Sequence, residues 1–122
     1  MAIAATRSFD YIAGDYIRLS FAVTDLEGVP ADIDGVDIRV AICNVETHEV
    51  ILSTEGGSPG GSIDAEITDA DYGLFEATID GNHTETLLGT YEWQAKIDDV
   101  STDTATVGQG FITFARSLLP AV

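Results

Sequence analysis

Cysteine, histidine and basic side chains are all scarce in this sequence: one cysteine, two histidines and five Lys or Arg among 122 residues. A lone Cys43 excludes an internal disulfide, and its setting in the apolar run Val40 to Asn44 marks it as a small core or face residue of a strand. His48 and His83 both fall in turn-forming sequence, whereas a zinc centre wants three or four N or S ligands at suitable spacing. No Gly-x-Ser-x-Gly elbow frames a nucleophile, so no catalytic residue is assigned and no enzyme is expected. Nowhere do about 18 apolar residues follow one another, as a membrane-spanning helix needs. Met1 to Arg7 lacks the basic leader and apolar stretch of a signal peptide. The expectation is a soluble protein with no export signal of its own and no membrane partner.

Acid takes the place of the missing base. Against Arg7, Arg18, Arg39, Lys96 and Arg116 stand 21 Asp and Glu, for a formal net charge of -16. Binding a phosphate backbone through counterion release needs clustered cations, so nucleic acid is excluded as a partner, and anionic membrane surfaces are disfavoured for the same reason. The simplest role for so much acid is a solvated surface that keeps copies apart. A loop calcium is the alternative, because Asp32, Asp34 and Asp37, then Asp64, Glu66, Asp69 and Asp71, and then Asp98, Asp99 and Asp103 supply the oxygens a hard cation wants. Thr68 to Gly73 lacks the twelve-residue spacing of a helix-loop-helix calcium site, and no cofactor is expected. Paired glycosidase carboxylates would have to face one cleft, whereas these acids occupy turns and outward strand positions.

What the sequence does have is a period of two. Ile17, Leu19, Phe21 and Val23 alternate with Arg18, Ser20, Ala22 and Thr24, and Val36, Ile38, Val40 and Ile42 repeat the pattern. Shorter alternations follow at Ile63, Ala65 and Ile67, at Phe75, Ala77 and Ile79, and at Tyr91, Trp93, Ala95 and Ile97, while Ile112 and Phe114 share a face near the end. Phe9 and Tyr11 form a short first strand at an edge. Asn44 to His48 suits a hairpin corner of about five residues, Glu55 to Ser62 reads as a glycine-rich surface loop, and Thr84 to Leu88 allows one helical turn capped by Thr84. Short strands about ten residues apart, with turn signals between them, predict an all-β antiparallel sandwich of about seven or eight strands. Residues 1–116 form this one domain, and 117–122 are an apolar tail.

Within that frame the core is expected to centre on Phe21, Val40, Tyr91, Trp93 and Phe114. Arg18, Arg39 and Lys96 should face away from it, with Arg39 and Lys96 on neighbouring strands. Local pairing with acids is one role for these cations, and an interface is the other. Leu118, Leu119 and Val122 of the tail join Arg39 and Lys96 as interface residues, on the expectation that the tail docks on a neighbouring subunit.

Leu88-Gly-Thr-Tyr-Glu-Trp93 resembles the corner before strand F of immunoglobulin-like domains, where a tyrosine precedes the central core position by two residues and its hydroxyl bonds back to upstream backbone. Here that core position is Trp93. Gly14 to Asp25, Gly28 to Arg39 and Gly110-Phe-Ile-Thr113 extend the likeness over residues 9 to 114. Together they resemble the immunoglobulin-like module of tailed-phage virion proteins, found in the amino-terminal domain of baseplate upper proteins and in modules at head spikes and fibres. The resemblance implies a non-enzymatic virion structural protein, assembled in the bacterial cytoplasm and held by capsid or fibre subunits or by copies of itself. Because the chain stops at Val122 without a fibre extension, the expected place is a head spike base or a capsid decoration or fibre-anchoring subunit. The alternatives are a baseplate or tail connector, or a glycan-binding adhesive domain of a bacterial surface protein, which should carry surface aromatics on one sheet.

Overall fold

The computed structural model describes residues 5–24, 27–54, 62–98 and 104–116. Two sheets face each other. The larger is built from β1 (Ala5–Thr6), β2 (Phe9–Ile12), β4 (Asp37–Asn44), β5 (Val50–Ser53), β8 (Gly89–Asp98) and β9 (Thr104–Ala115); the smaller from β3 (Ile17–Ala22), β6 (Ile63–Asp69) and β7 (Leu74–Ile79). In the larger sheet β9, β8, β4 and β5 lie side by side, with β1 and β2 following each other along the free side of β9; the smaller sheet runs β3, β7, β6. This is the sandwich that the period-two pattern predicts, with the immunoglobulin-like arrangement that the resemblance implies. It is antiparallel except at one margin, where β1 and β2 run parallel to β9, Phe9 opposite Ile112 and Ile12 opposite Ala115.

Alternation in sequence becomes alternation of burial because successive strand side chains point to opposite faces. In β3, Ile17, Leu19 and Phe21 are buried while Arg18, Ser20 and Ala22 are exposed. The two inner faces meet in one core that includes Val40, Ile42, Phe75, Ile79, Trp93, Ile112 and Phe114. Of the five core residues expected from the sequence, Phe21, Val40, Trp93 and Phe114 are buried and Tyr91 is half-buried. Trp93 is the one that spans the sheets, its ring 5.3 Å from Phe21 and 5.4 Å from Phe9. Tyr91 instead packs edge-on against Phe114 of the adjacent strand at 5.9 Å. Its hydroxyl donates to the Leu88 carbonyl at 3.4 Å, which is the upstream backbone bond expected of this corner.

Between β7 and β8 the structure differs from the expected helical turn at Thr84 to Leu88. The turn α1 (Gly81–Thr84) comes earlier, and Asp80 caps it by accepting from the Asn82 amide at 3.2 Å. Thr84 ends the turn and is fully buried; its Oγ1 accepts from the Gly14 amide at 3.0 Å, pinning α1 to the loop between β2 and β3. His83 consequently lies in α1. Thr68 to Gly73 closes as a 3-10 turn at Ala70–Tyr72, ended by Gly73 in the left-handed region at φ 69°. A side chain there would meet the Val23 carbonyl at 2.5 Å.

Candidate functional site

The margin beside β9 is held by residues the sequence pattern did not single out. Arg7, between β1 and β2, donates its amide to the Gln109 carbonyl at 3.0 Å, and its own carbonyl accepts from the Trp93 indole Nε1–H at 2.9 Å. Its guanidinium lies over the Phe9 ring at 4.8 Å and donates to the Ser20 carbonyl at 2.9 Å. Tyr11 adds a longer bond from its hydroxyl to the Arg18 carbonyl at 3.4 Å. Strand β3 is an edge, and an edge offers unpaired carbonyls to any passing strand. Side chains from the opposite sheet occupy two of them here. Burial raises the Tyr11 phenol above its ordinary pKa, and the nearby Arg7 charge partly offsets this.

The outward faces of the two sheets arrange their few cations differently. On the smaller sheet Asp64, Glu66 and Glu76 stand against Arg18, which reaches Glu76 at 3.7 Å. On the larger sheet Arg39 and Lys96 lie directly opposite each other in the β4–β8 ladder, with Asp37 opposite Asp98 at its end. Arg39 pairs with Asp98, Nε to Oδ2 at 2.8 Å and a terminal nitrogen to Oδ1 at 3.1 Å. The neighbouring placement expected for Arg39 and Lys96 is therefore found, and Arg39 has an acid partner in Asp98. Leu118, Leu119 and Val122 lie outside the described residues, as do Asp99 and Asp103. Among the described residues no three His, Cys, Asp or Glu come together in a way that could hold a metal ion.

A groove of about 480 Å³ opens on this outward face of the larger sheet, lined by Cys43, His48, Glu92, Gln94, Gln109 and Phe111 together with Trp93 and Gly110. Register sets its floor: Phe111, Glu92 and Cys43 form one row across β9, β8 and β4, and Gln109, Gln94 and Ala41 form the next. His48 rises from the corner between β4 and β5. That corner is firmly held: Asn44 Oδ1 accepts from the Glu46 and Thr47 amides at 2.9 and 3.1 Å, and the Asn44 carbonyl accepts from the His48 amide at 2.9 Å. His48 itself has φ 60°, an unusual conformation for a residue with a β-carbon. Its Nδ1 lies 3.8 Å from Glu92 Oε2, and Phe111, 48 % exposed, forms the opposite wall. Burial, and after it the Glu92 carboxylate, push the Cys43 thiol above its ordinary pKa.

Sequence parity contained this row. Once Trp93 and Ile112 point inward, Glu92, Gln94 and Phe111 must point outward. What parity does not show is which outward residues become neighbours, because that depends on the β8–β9 register and on the shift between Ala95 and Lys96.

Two facing sheets, with the Tyr91 corner leading into Trp93 at their centre, define the class: an immunoglobulin-like β-sandwich. No protein-family model matches the sequence, and no curated protein does. Among solved structures the chain is similar to CopC from Methylosinus trichosporium OB3b, with TM-score 0.51 and 11% identity over 93% of this chain and 89% of that one. It is also similar to part of an endo-fucoidan hydrolase of glycoside hydrolase family 107, with TM-score 0.49 and 11% identity over 94% of this chain and 13% of the hydrolase. At such identities the likeness to CopC establishes the fold alone.

Proposed function

We propose that this chain is a non-enzymatic structural module of a tailed phage or phage-like particle, serving as a head spike base or as a capsid decoration or fibre-anchoring subunit. The observation that carries the reading is the difference between its two outward faces. Arg39 and Lys96 form a cross-strand pair of cations on the larger sheet, among Asp10, Asp37, Glu92 and Asp98, whereas Arg18 alone stands against Asp64, Glu66 and Glu76 on the smaller. In a chain of net charge -16, like-charge repulsion favours the face that carries this cation pair as the one that approaches another protein. The acidic face then stays in solvent and keeps the particle surface soluble. The guarded β3 edge fits the same role, since a subunit repeated many times on a shell must not pair edge to edge with its copies.

Its partners in this reading are capsid or fibre subunits and copies of itself, assembled in the bacterial cytoplasm. Particle composition tests it. Purified particles should contain the chain at a fixed copy number, and the double charge reversal Arg39→Glu with Lys96→Glu should reduce its incorporation while the isolated protein stays folded. Particles that lack the chain altogether would refute the assignment.

A further inference from the structure

The groove on the larger sheet has a composition that narrows what it can hold. Glu92 brings a carboxylate to its centre in a chain that is already strongly acidic, so a phosphate, sulfate or carboxylate ligand meets repulsion. Cys43, His48 and Glu92 line the groove, but among the described residues no three His, Cys, Asp or Glu are placed so that they could hold a metal ion. A purely apolar ligand would strip water from Glu92, Gln94 and Gln109 and return no hydrogen bonds. A guanidinium could satisfy Glu92 and stack on Phe111, but as a pure donor it would leave the amide donors of Gln94 and Gln109 unmatched. An extended peptide adds to sheet edges, and this groove lies on a face.

Hydroxyl groups answer every one of these requirements, since each both donates and accepts. Gln94 and Gln109 sit directly opposite each other in the β8–β9 ladder and offer two amides in one row, each with donors and an acceptor. In the adjoining row Glu92, opposite both Phe111 and Cys43, offers acceptors only. Phe111 is half-exposed at the rim, where its ring can cover the apolar face of a ligand. We infer that this groove binds a neutral saccharide, with Phe111 as the stacking surface and Gln94, Gln109 and Glu92 as hydrogen-bond partners to its hydroxyls. The tightly bonded corner from Asn44 to His48 forms the fixed far wall. The groove lies on the same outward face as Arg39 and Lys96, so saccharide binding there and docking through that face would compete; the site stands on its own residues and does not depend on particle membership.

NMR titration of the isolated chain tests this. The panel is a set of neutral oligosaccharides built from hexoses, pentoses, deoxyhexoses and N-acetylhexosamines, an oligogalacturonate, and an arginine-rich peptide. At least one neutral oligosaccharide should give saturable shifts at the backbone amides of Glu92, Gln94, Gln109 and Phe111. Phe111→Ala should weaken that binding about ten-fold, and Gln94→Ala should also weaken it, with the melting temperature of both variants close to that of the parent. Three results would each overturn the inference: no saturable shift at these amides with any neutral member, undiminished binding by Phe111→Ala, or binding confined to the oligogalacturonate or the peptide.

Discussion

Trp93 in β8 and Arg7 between β1 and β2 are joined by a 2.9 Å hydrogen bond from the indole Nε1–H to the Arg7 carbonyl. The same indole packs against Phe21 of the opposite sheet. One side chain therefore fills the centre of the sandwich and ties down its amino-terminal margin. Trp93→Phe keeps most of the volume and removes the donor, leaving the Arg7 carbonyl short of a partner; a loss of about 1–3 kcal/mol is expected. Trp93→Ala also opens a cavity, and about 3–5 kcal/mol is expected. Denaturant unfolding measures both, and a Trp93→Phe variant as stable as the parent would contradict the role of the hydrogen bond.

Gly110 sits where that margin crosses β9. Its φ is 154°, and a β-carbon at this position would overlap the Arg7 carbonyl, so any side chain forces the backbone of residue 7 to move. Gly110→Ala should cost on the order of 1–3 kcal/mol. Hydrogen exchange should show amides of β2 opening sooner while those of β4, on the far side of β8, keep their protection. Unchanged exchange in β2 would mean that the margin is not anchored through Arg7.

The sandwich was legible because its signal is local. Ile17 to Val23 and Val36 to Ile42 state their buried faces residue by residue, and the structure buries Ile17, Leu19, Phe21, Val23, Val40 and Ile42 as expected. Arg39 and Lys96 could be placed as neighbours because an immunoglobulin-like order fixes which strands adjoin. Arg7 could not be found in this way. Its role rests on contacts with Ser20, Trp93 and Gln109, and no short window of sequence carries them. Threonine favours the cap position, which points to Thr84 when only local sequence is weighed. Asp80 takes that position instead, and Thr84 serves the distant Gly14 amide.

Thr84 allows a direct test of that long-range bond. Thr84→Val is nearly isosteric and leaves the Gly14 amide without its acceptor, so a loss of about 1–3 kcal/mol is expected. Thr84→Ser keeps the oxygen and should lose less. If valine and serine cost the same, the hydroxyl is not what holds α1 against the loop at Gly14.

Two groups predict pH behaviour. The Cys43 thiol is held above its ordinary pKa by burial first and by Glu92 second, so alkylation near pH 8 should be slower in the folded chain than in the unfolded one. Glu92→Gln removes the negative charge that opposes the thiolate and should speed the reaction; an unchanged rate would contradict the coupling.

The Tyr11 phenol is also raised on folding, so the unfolded chain gives up this proton first as pH climbs. Above the ordinary tyrosine range the unfolded state then binds fewer protons than the folded state, and stability must fall with rising pH. Tyr11→Phe should flatten that decline in unfolding measurements made across the alkaline range. A slope identical to the parent's would contradict the assignment.

If the outward face of the larger sheet, with its Arg39 and Lys96 pair, is the one this module turns to a partner, cryo-electron microscopy of purified particles will reveal it without any variant. The sandwich should then occupy symmetry-repeated positions, with Arg39 and Lys96 within contact distance of a neighbouring subunit and Asp64 and Glu66 facing solvent. Density that places the Asp64 and Glu66 face against the neighbour and leaves Arg39 and Lys96 in solvent would contradict the proposed orientation.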